Sequence, residues 1–476
     1  MVFSSVTFLF FLLPATIVLY YVLPRPARNT LLLLVSLLFY TWGTGALVVA
    51  LLASIAVNYL FGLWIERFAE QGRRPRARAV LAVAVLMNVG LLAWFKYANF
   101  AVDTGSAVAQ VLGGNALVWQ DILLPIGISF YTFHLLSYLV DLLRGTARHL
   151  ANPVDFALYI TFFPQLVAGP IVRFHEIRDQ LVRRTETSAM FASGVYRFAH
   201  GLGKKVIIAD TVAPVANAAF ATPAGELNTV TALVGVVAYT VQLYFDFSGY
   251  SDMALGLAQM FGIRLPENFD RPYASRSVTE FWRRWHMSLS RWFRDYLYIP
   301  LGGNRGSSGA TYRNLIIVFL VTGLWHGANW TFVLWGGYHG VLLLIERLTG
   351  TGRVEQVGAR ALVGQARTVV LVMFGWILFR SVDIPYAVGY MGALLRPAGG
   401  LTPDVVLALD PLAAIALAVG VASVAIPRWW VTGVRLEHAP TWTVRGLRLA
   451  TVGVVLPVAL VFLVAGTFSP FLYFQF

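Results

Sequence analysis

The run "MVFSSVTFLFFLLPATIVLYYVLP", Met1 to Pro24, contains no charged residue. It lacks a basic start and a small-x-small cleavage site. It therefore reads as a first membrane span rather than a signal peptide to be removed. Comparable apolar runs recur along the chain, at roughly 30–42, 46–65, 79–100, 122–142, 152–170, 191–220, 229–262, 314–328, 331–346, 368–385, 411–426 and 449–468. Crossing a bilayer takes about 20 apolar residues, so several of these are too short to span and are expected to be re-entrant. Composition points the same way. The hydrophobic fraction is 58% and the charged fraction 12%, with a mean hydropathy of +0.68. A soluble domain carries about twice that charge. The expected fold is an all-α polytopic membrane protein, a single domain over 1–476, with no evident internal repeat.

The formal net charge is +13. On a soluble chain that would suggest nucleic acid. On this one, the distribution of basic residues between loops and their attraction to anionic lipid headgroups account for it. Basic residues crowd the loops at 67–78, 144–148, 173–184, 263–313, 347–367 and 428–448. The stretches 101–121 and 221–228, and everything after Arg448, have no Lys or Arg, and 386–410 has only Arg396. Cationic loops stay in the cytoplasm, so both termini are expected outside a bacterial inner membrane. Segment 152–170 has basic loops on both sides and is expected to be buried or re-entrant. There is no cysteine, which excludes disulfides, thiolate metal sites, S-acylation and a cysteine nucleophile.

Polar groups among apolar runs are functional candidates because they are costly there. Of the eight histidines, His149, His175 and His438 lie in basic loops and need no special role. His134, His200 and His339 are expected to be hydrogen-bonded packing residues. His326 differs. In "VTGLWHGANWTFVLWGGYHG" it stands between Trp325 and Gly327, with Gly323 and Asn329 close by. Thirteen helical residues from Arg313 rise about 20 Å, which puts His326 deep, near the turn of a helical hairpin. A partly solvated imidazole there could take a proton from a hydroxyl.

A second stretch, "FWRRWHMSLSRWFRDYLYIPLGGNRG" (281–306), alternates arginine with aromatic residues. At helical spacing Arg283, Arg284, Arg291 and Arg294 form a basic edge, with Trp285 and its neighbours on the apolar one. Arg305 sits in a flexible glycine loop. Either this is an amphipathic helix lying on the cytoplasmic surface, or it is a cytoplasmic mouth whose forked guanidinium groups bind a phosphorylated donor. In "YTVQLYFDFSGYSDMALG" (239–256), Asp246 and Asp252 are six apart and do not share a helix face well. They are expected to be structural partners of Arg or His rather than a catalytic pair, and too few ligands surround them for a metal. The chain closes on "FLYFQF", 471–476. Aromatic residues crowd membrane interfaces, so this could be an anchor.

Together, "WFKYANF", "PIGISFYTFHLLSYLVD", "FFPQLVAGPIVR", "QLYFDFSGYSDMALGLAQMFGI", "FWRRWHMSLSRWFRDYLYIPLGGNR" and "TGLWHGANWTFVLWGGYHG" are similar to the membrane-bound O-acyltransferase superfamily. More narrowly, the chain resembles bacterial alginate O-acetyltransferase and D-alanyl-transfer membrane subunits. The resemblance implies a ring of about eleven transmembrane helices, with shorter re-entrant and interfacial helices, around a central funnel. It implies that His326 is catalytic and that His286 is needed on the cytoplasmic side of the same tunnel; Trp325, Asn329, Trp285, Asp246 and Asp252 are expected as tunnel or structural support. No tightly bound cofactor and no metal are expected. The acyl donor would be acetyl-CoA or a carrier-protein thioester. The expected partners are an extracytoplasmic serine-esterase-like protein, a cell-surface polysaccharide, an acyl carrier protein and membrane lipid, with no nucleic acid. Some members are said to share a C-terminal F-x-Y-x-x-F motif, matched here by Phe471, Tyr473 and Phe476 within 469–476, which makes Tyr473 a candidate acyl carrier. Two other readings stay open: a polysaccharide or lipid transporter without acyl chemistry, and a lipid O-acyltransferase working within the bilayer. Sequence leaves the acceptor polymer and the type of thioester undetermined.

Overall fold

The computed structural model describes residues 2–353, 359–396, 399–423 and 441–466. The regular elements among the described residues are all helices, with no strand. Five helical stretches are long and apolar enough to cross a membrane: Arg25–Glu70, Arg74–Val111, Thr229–Met260, Ala359–Arg380 and Trp442–Ala465. Shorter apolar helices, Phe8–Val22 and Pro411–Ala422, accompany them. The chain divides into two compact units, 1–194 with 257–266, and 195–256 with 267–476.

In the first unit, the apolar runs 30–42 and 46–65 form two helices, Arg25–Thr44 and Val48–Glu70. The break falls at Gly45, whose φ of 56° lies in the left-handed half of the map, open to glycine. Val48–Glu70 packs on Arg74–Val111 through a reciprocal amide pair. Asn58 Nδ2 donates to Asn88 Oδ1 at 3.1 Å, and Asn88 Nδ2 donates back to Asn58 Oδ1 at 2.7 Å. Paired amides satisfy each other where no water reaches, so they hold helices together between apolar faces. Segment 152–170 does not form one helix. It makes Pro153–Thr161 and Phe163–Leu166, parted at Phe162, and residues 158–172 are all buried. Three separate segments meet at Glu186, which accepts from the Tyr20 hydroxyl at 2.7 Å and from Arg28 Nη1 at 2.9 Å. Arg184 in turn donates to the Tyr20 hydroxyl at 2.9 Å.

Thr229–Met260 is the most buried of the long helices, with 78% of its most apolar window covered, against 11% for Trp442–Ala465. Run 191–220 becomes three helical segments in line, Ser188–Gly203, a π-helical stretch Lys204–Ala209, and Asp210–Ala221. Widened turns of this kind recur at functional sites. Here the turn places two consecutive lysines in the interior. Lys204 Nζ lies 2.7 Å from Asp252, and Lys205 Nζ lies 2.7 Å from both Asp210 and Asp246.

Candidate active site

The second unit contains the expected hairpin. Ser308–His326 is capped by the Ser307 hydroxyl, which accepts from the Ala310 N–H at 3.2 Å. It ends because Gly327 is extended (φ −161°, ψ 152°). Asn329 starts the return helix Trp330–Thr349 by accepting from the Thr331 N–H at 3.0 Å, and its amide also donates to the Val382 carbonyl at 2.9 Å. Asparagine is among the preferred residues at this position because its side chain satisfies an orphan helix N–H. The two arms lie backbone to backbone. A Cβ on Gly323 would sit 2.2 Å from the Phe332 carbonyl oxygen, and one on Gly336 would sit 2.2 Å from that of Phe319. Only glycine allows that approach.

His326 is therefore the last residue of a helix held at a fixed turn. Its ring is walled edge-on by Trp325, Trp335 and Phe379, at centroid distances of 4.8, 5.0 and 5.2 Å. It is 5% exposed. The partly solvated imidazole expected from sequence is instead buried, because three large rings close round it. Rings on three sides hold its plane in one orientation.

The second histidine corrects another expectation. Residues 281–298 do not form one amphipathic helix. Helix Val278–Arg284 stops, His286 takes a left-handed conformation (φ 45°), and Met287–Phe293 begins in a new direction. A non-glycine residue there is strained and persists only when its surroundings hold it. Asn268 does so. Its carbonyl accepts from the Met287 N–H at 2.9 Å, and its side-chain Oδ1 lies 3.0 Å from His286 Nδ1. The His286 ring is fully buried, edge-on to Phe247 at 4.8 Å. Removal from water pushes its pKa down to about 3, so the ring is neutral. Trp325 neighbours both histidines, at 6.2 Å from His286 and 4.8 Å from His326. The two imidazoles thus share one wall.

Trp285 belongs to the aromatic packing behind this wall, with Trp376 at 4.9 Å and Phe269 at 5.1 Å. Asp246 and Asp252 each hold their own cations rather than each other. Asp252 is bound by Arg197 (2.8 Å) and Lys204 (2.7 Å), and Asp246 by Lys205. Both carboxylates are thus paired with cations, an arginine and two lysines among them. The arginines of 283–305 do not form the single edge that a continuous helix would give. Arg284 pairs with Glu280 at 2.6 Å, Arg294 with Asp295 at 2.7 Å, and Arg291 donates to the Glu267 carbonyl at 2.8 Å. Arg283 and Arg305 are exposed.

Among the packing histidines, His134 Nε2 accepts from the Val172 N–H at 3.3 Å. His339 departs from expectation: no hydrogen bond reaches either ring nitrogen, and the ring is held by Trp282 and Trp335, each at 5.1 Å. Among the described residues, no group of three or more His, Asp or Glu gathers as a metal site. Tyr473, with Phe471, Phe476 and the rest of 469–476, lies outside the described residues, as does His438.

Sequence reasoning missed three supporting groups. Arg197 forks onto both Glu267 oxygens at 2.6 Å as well as onto Asp252. Asn268 carries His286. Glu346, on the hairpin's return arm, accepts from the N–H groups of Val278 (2.7 Å) and Thr279 (2.8 Å), capping the helix that leads to His286. The intramembrane-charge signal in "RFAHGLGKK" could have flagged Arg197, Lys204 and Lys205. Nothing local marks Asn268 or Glu346, whose partners lie 18 and 68 residues away.

Residues 37–382 match the family model described as "MBOAT, membrane-bound O-acyltransferase family". The chain is 48% identical over 390 residues to a probable alginate O-acetylase of Azotobacter vinelandii, covering 81% of this chain and 76% of that one. It is 35% identical over 426 residues to a peptidoglycan O-acetyltransferase of Helicobacter pylori, covering 81% and 78%. It is 29% identical over 289 residues to a teichoic acid D-alanyltransferase of Bacillus subtilis, covering 54% and 71%. The matched stretch takes in both the buried hairpin-end histidine and the second histidine that shares its aromatic wall, and the chain belongs to the membrane-bound O-acyltransferase family.

Proposed function

We propose that this chain is a membrane O-acetyltransferase. It takes an acetyl group from a cytoplasmic thioester, acetyl-CoA or a carrier-protein pantetheine, and delivers it to hydroxyls of an extracytoplasmic polysaccharide such as alginate. The observation that carries this reading is the placement of His326 at a rigid hairpin turn, with Trp325 shared between it and His286. In the proposed step, a nitrogen of His326 takes the proton of a hydroxyl as its oxygen bonds to the thioester carbonyl carbon. The tetrahedral intermediate then collapses, the C–S bond breaks, and the thiolate recovers the proton from the imidazolium. The products are an ester and a free thiol. A thioester is activated enough for general-base help to suffice. The reaction would run in a funnel lined by helices of the second unit, with the exposed Arg283 and Arg305 meeting the donor's phosphates.

The first acceptor would be the Tyr473 phenol. Its ester would then pass the acetyl group to a saccharide hydroxyl, directly or through a serine-esterase-like partner, with the phenol as leaving group. In the proposed orientation, the basic loops face the cytoplasm and both termini lie outside. An apolar cavity of about 390 Å³, lined by Tyr196, His200, Ile207, Ile415 and Val455 among others, favours a second reading in which a lipid is the acceptor. The test reconstitutes the purified protein with radiolabelled acetyl-CoA and offers polysaccharide or lipid. Because the chain has no cysteine, a thiol reagent reads only released CoA. Label on saccharide supports the first reading, and label on lipid alone the second. With neither label nor thiol release, acyl chemistry by this chain is excluded. Wild-type transfer by Tyr473→Phe would end the relay through Tyr473.

A further inference from the structure

The Asn268 side chain faces the His286 ring, its Oδ1 3.0 Å from Nδ1. The side chain is buried, and its oxygen is met by three groups: the Ser288 N–H at 3.3 Å, the Ser288 hydroxyl at 2.8 Å, and His286 Nδ1 at 3.0 Å. The amide nitrogen donates to the Ser251 hydroxyl at 3.1 Å. An asparagine amide can be built either way round, and a neutral imidazole can carry its proton on either nitrogen. A backbone N–H removes both ambiguities, because it only donates. The atom facing Ser288 N must be the amide oxygen, since the flipped amide would set N–H against N–H. His286 Nδ1 lies on that same oxygen, so it must be the protonated nitrogen. The ring's lone pair then resides on Nε2.

We propose that Asn268 is a positioning residue that locks His286 as the Nδ1–H tautomer, so that His286 enters the reaction as an acceptor at Nε2. This rests on the reading that His286 takes part in acyl transfer. It assigns the role within that reading: in its resting state His286 can receive a proton or hydrogen bond from a hydroxyl or thiol, and it cannot donate from Nε2 to a carbonyl oxygen. The strained backbone at His286 fits this account, because Met287 N–H on the Asn268 carbonyl and Nδ1 on its side chain fix both ends of the residue against one partner. The charged and titratable groups on the elements around it are already engaged or set apart. Glu267 and Asp252 are held by Arg197, Lys204 by Asp252, and Arg291 by the Glu267 carbonyl. His326 stands beyond Trp325.

The experiment is the pH profile of CoA release from acetyl-CoA by the reconstituted full chain, for wild type and Asn268→Asp. A carboxylate on Nδ1–H stabilises the imidazolium, so His286 would lose its acceptor lone pair at higher pH. The acidic limb of kcat is expected to move up by about one pH unit or more, with turnover recovered above it and the KM for acetyl-CoA within about twofold. A purely structural role would lower turnover at every pH and leave the limb in place, and that result overturns the proposal. Should Asn268→Asp fail to fold, ¹⁵N solid-state NMR of histidine-labelled wild type reads the tautomer directly, with His286 assigned by its loss in His286→Gln. A protonated Nδ1 with a bare Nε2 is expected, and a protonated Nε2 refutes the proposal. If His286→Ala turns over at the wild-type rate, the participation of His286 fails, and the NMR result shows separately whether the tautomer assignment stands.

Discussion

Asp252 is buried and receives two cations, Arg197 at 2.8 Å and Lys204 at 2.7 Å. Removing one member of such a set strands the others, at a cost of roughly 3–5 kcal/mol. Asp252→Ala is therefore expected to lower stability by about that amount, read as a lower thermal midpoint in detergent. An unchanged midpoint would show that the network contributes nothing. The presence of isolated charges in apolar runs was legible in sequence for Asp246 and Asp252, and so was an arginine partner, which Asp252 has. Which cations they hold was not, since the pairings depend on a π-helical turn at 204–209 that shifts Lys204 and Lys205 inward. His326 was legible by position, because Gly327 and Asn329 spell out a helix stop and a restart. Its degree of burial was not, since Trp335 and Phe379 come from other turns of the chain.

Helices in this protein meet where side chains have been removed or paired. The hairpin crossing at Gly323 and Gly336 leaves no room for a methyl group, since a Cβ at either position would lie 2.2 Å from a backbone oxygen of the facing arm. Gly323→Ala is expected to destabilise by about 1–3 kcal/mol and to lower turnover through displacement of His326. Thermal midpoint and CoA release measured on the same sample check both effects. The cap from Glu346 makes a companion prediction. Glu346→Gln keeps the shape but weakens the acceptors for the Val278 and Thr279 N–H groups, and a loss of about 1 kcal/mol is expected. No loss would mean the cap is dispensable. The element that sequence reading joined wrongly is 281–298. Its alternation of arginine and aromatic residues suits one helix, and no glycine or proline marks the break at His286. The break comes from Asn268, a long-range partner that local periodicity does not reveal.

Over the whole chain, the class of protein was legible from apolar run length and the low charge fraction, because the bilayer imposes both. The division into two packing units was not, since residues 257–266 pack with the first unit although their neighbours in sequence pack with the second. The distribution of arginine makes the orientation testable. The absence of cysteine allows single-cysteine labelling without background. Arg305→Cys is expected to react with an impermeant maleimide only from the cytoplasmic side, and Val118→Cys, at an exposed site, only from outside. The reverse pattern would invert the proposed topology, and with it the side from which the donor enters.

The central claim is that His326 takes the proton that allows a hydroxyl to attack the thioester. Its most direct test is transfer of radiolabelled acetyl from acetyl-CoA to saccharide by the reconstituted protein with its partners, comparing wild type with His326→Ala and His326→Gln at matched thermal midpoints. General-base catalysis of this kind contributes about 10²–10⁴-fold. Both variants are expected to lose transfer by at least about 100-fold while still binding acetyl-CoA. Transfer at the wild-type rate by a folded His326→Ala would contradict the account.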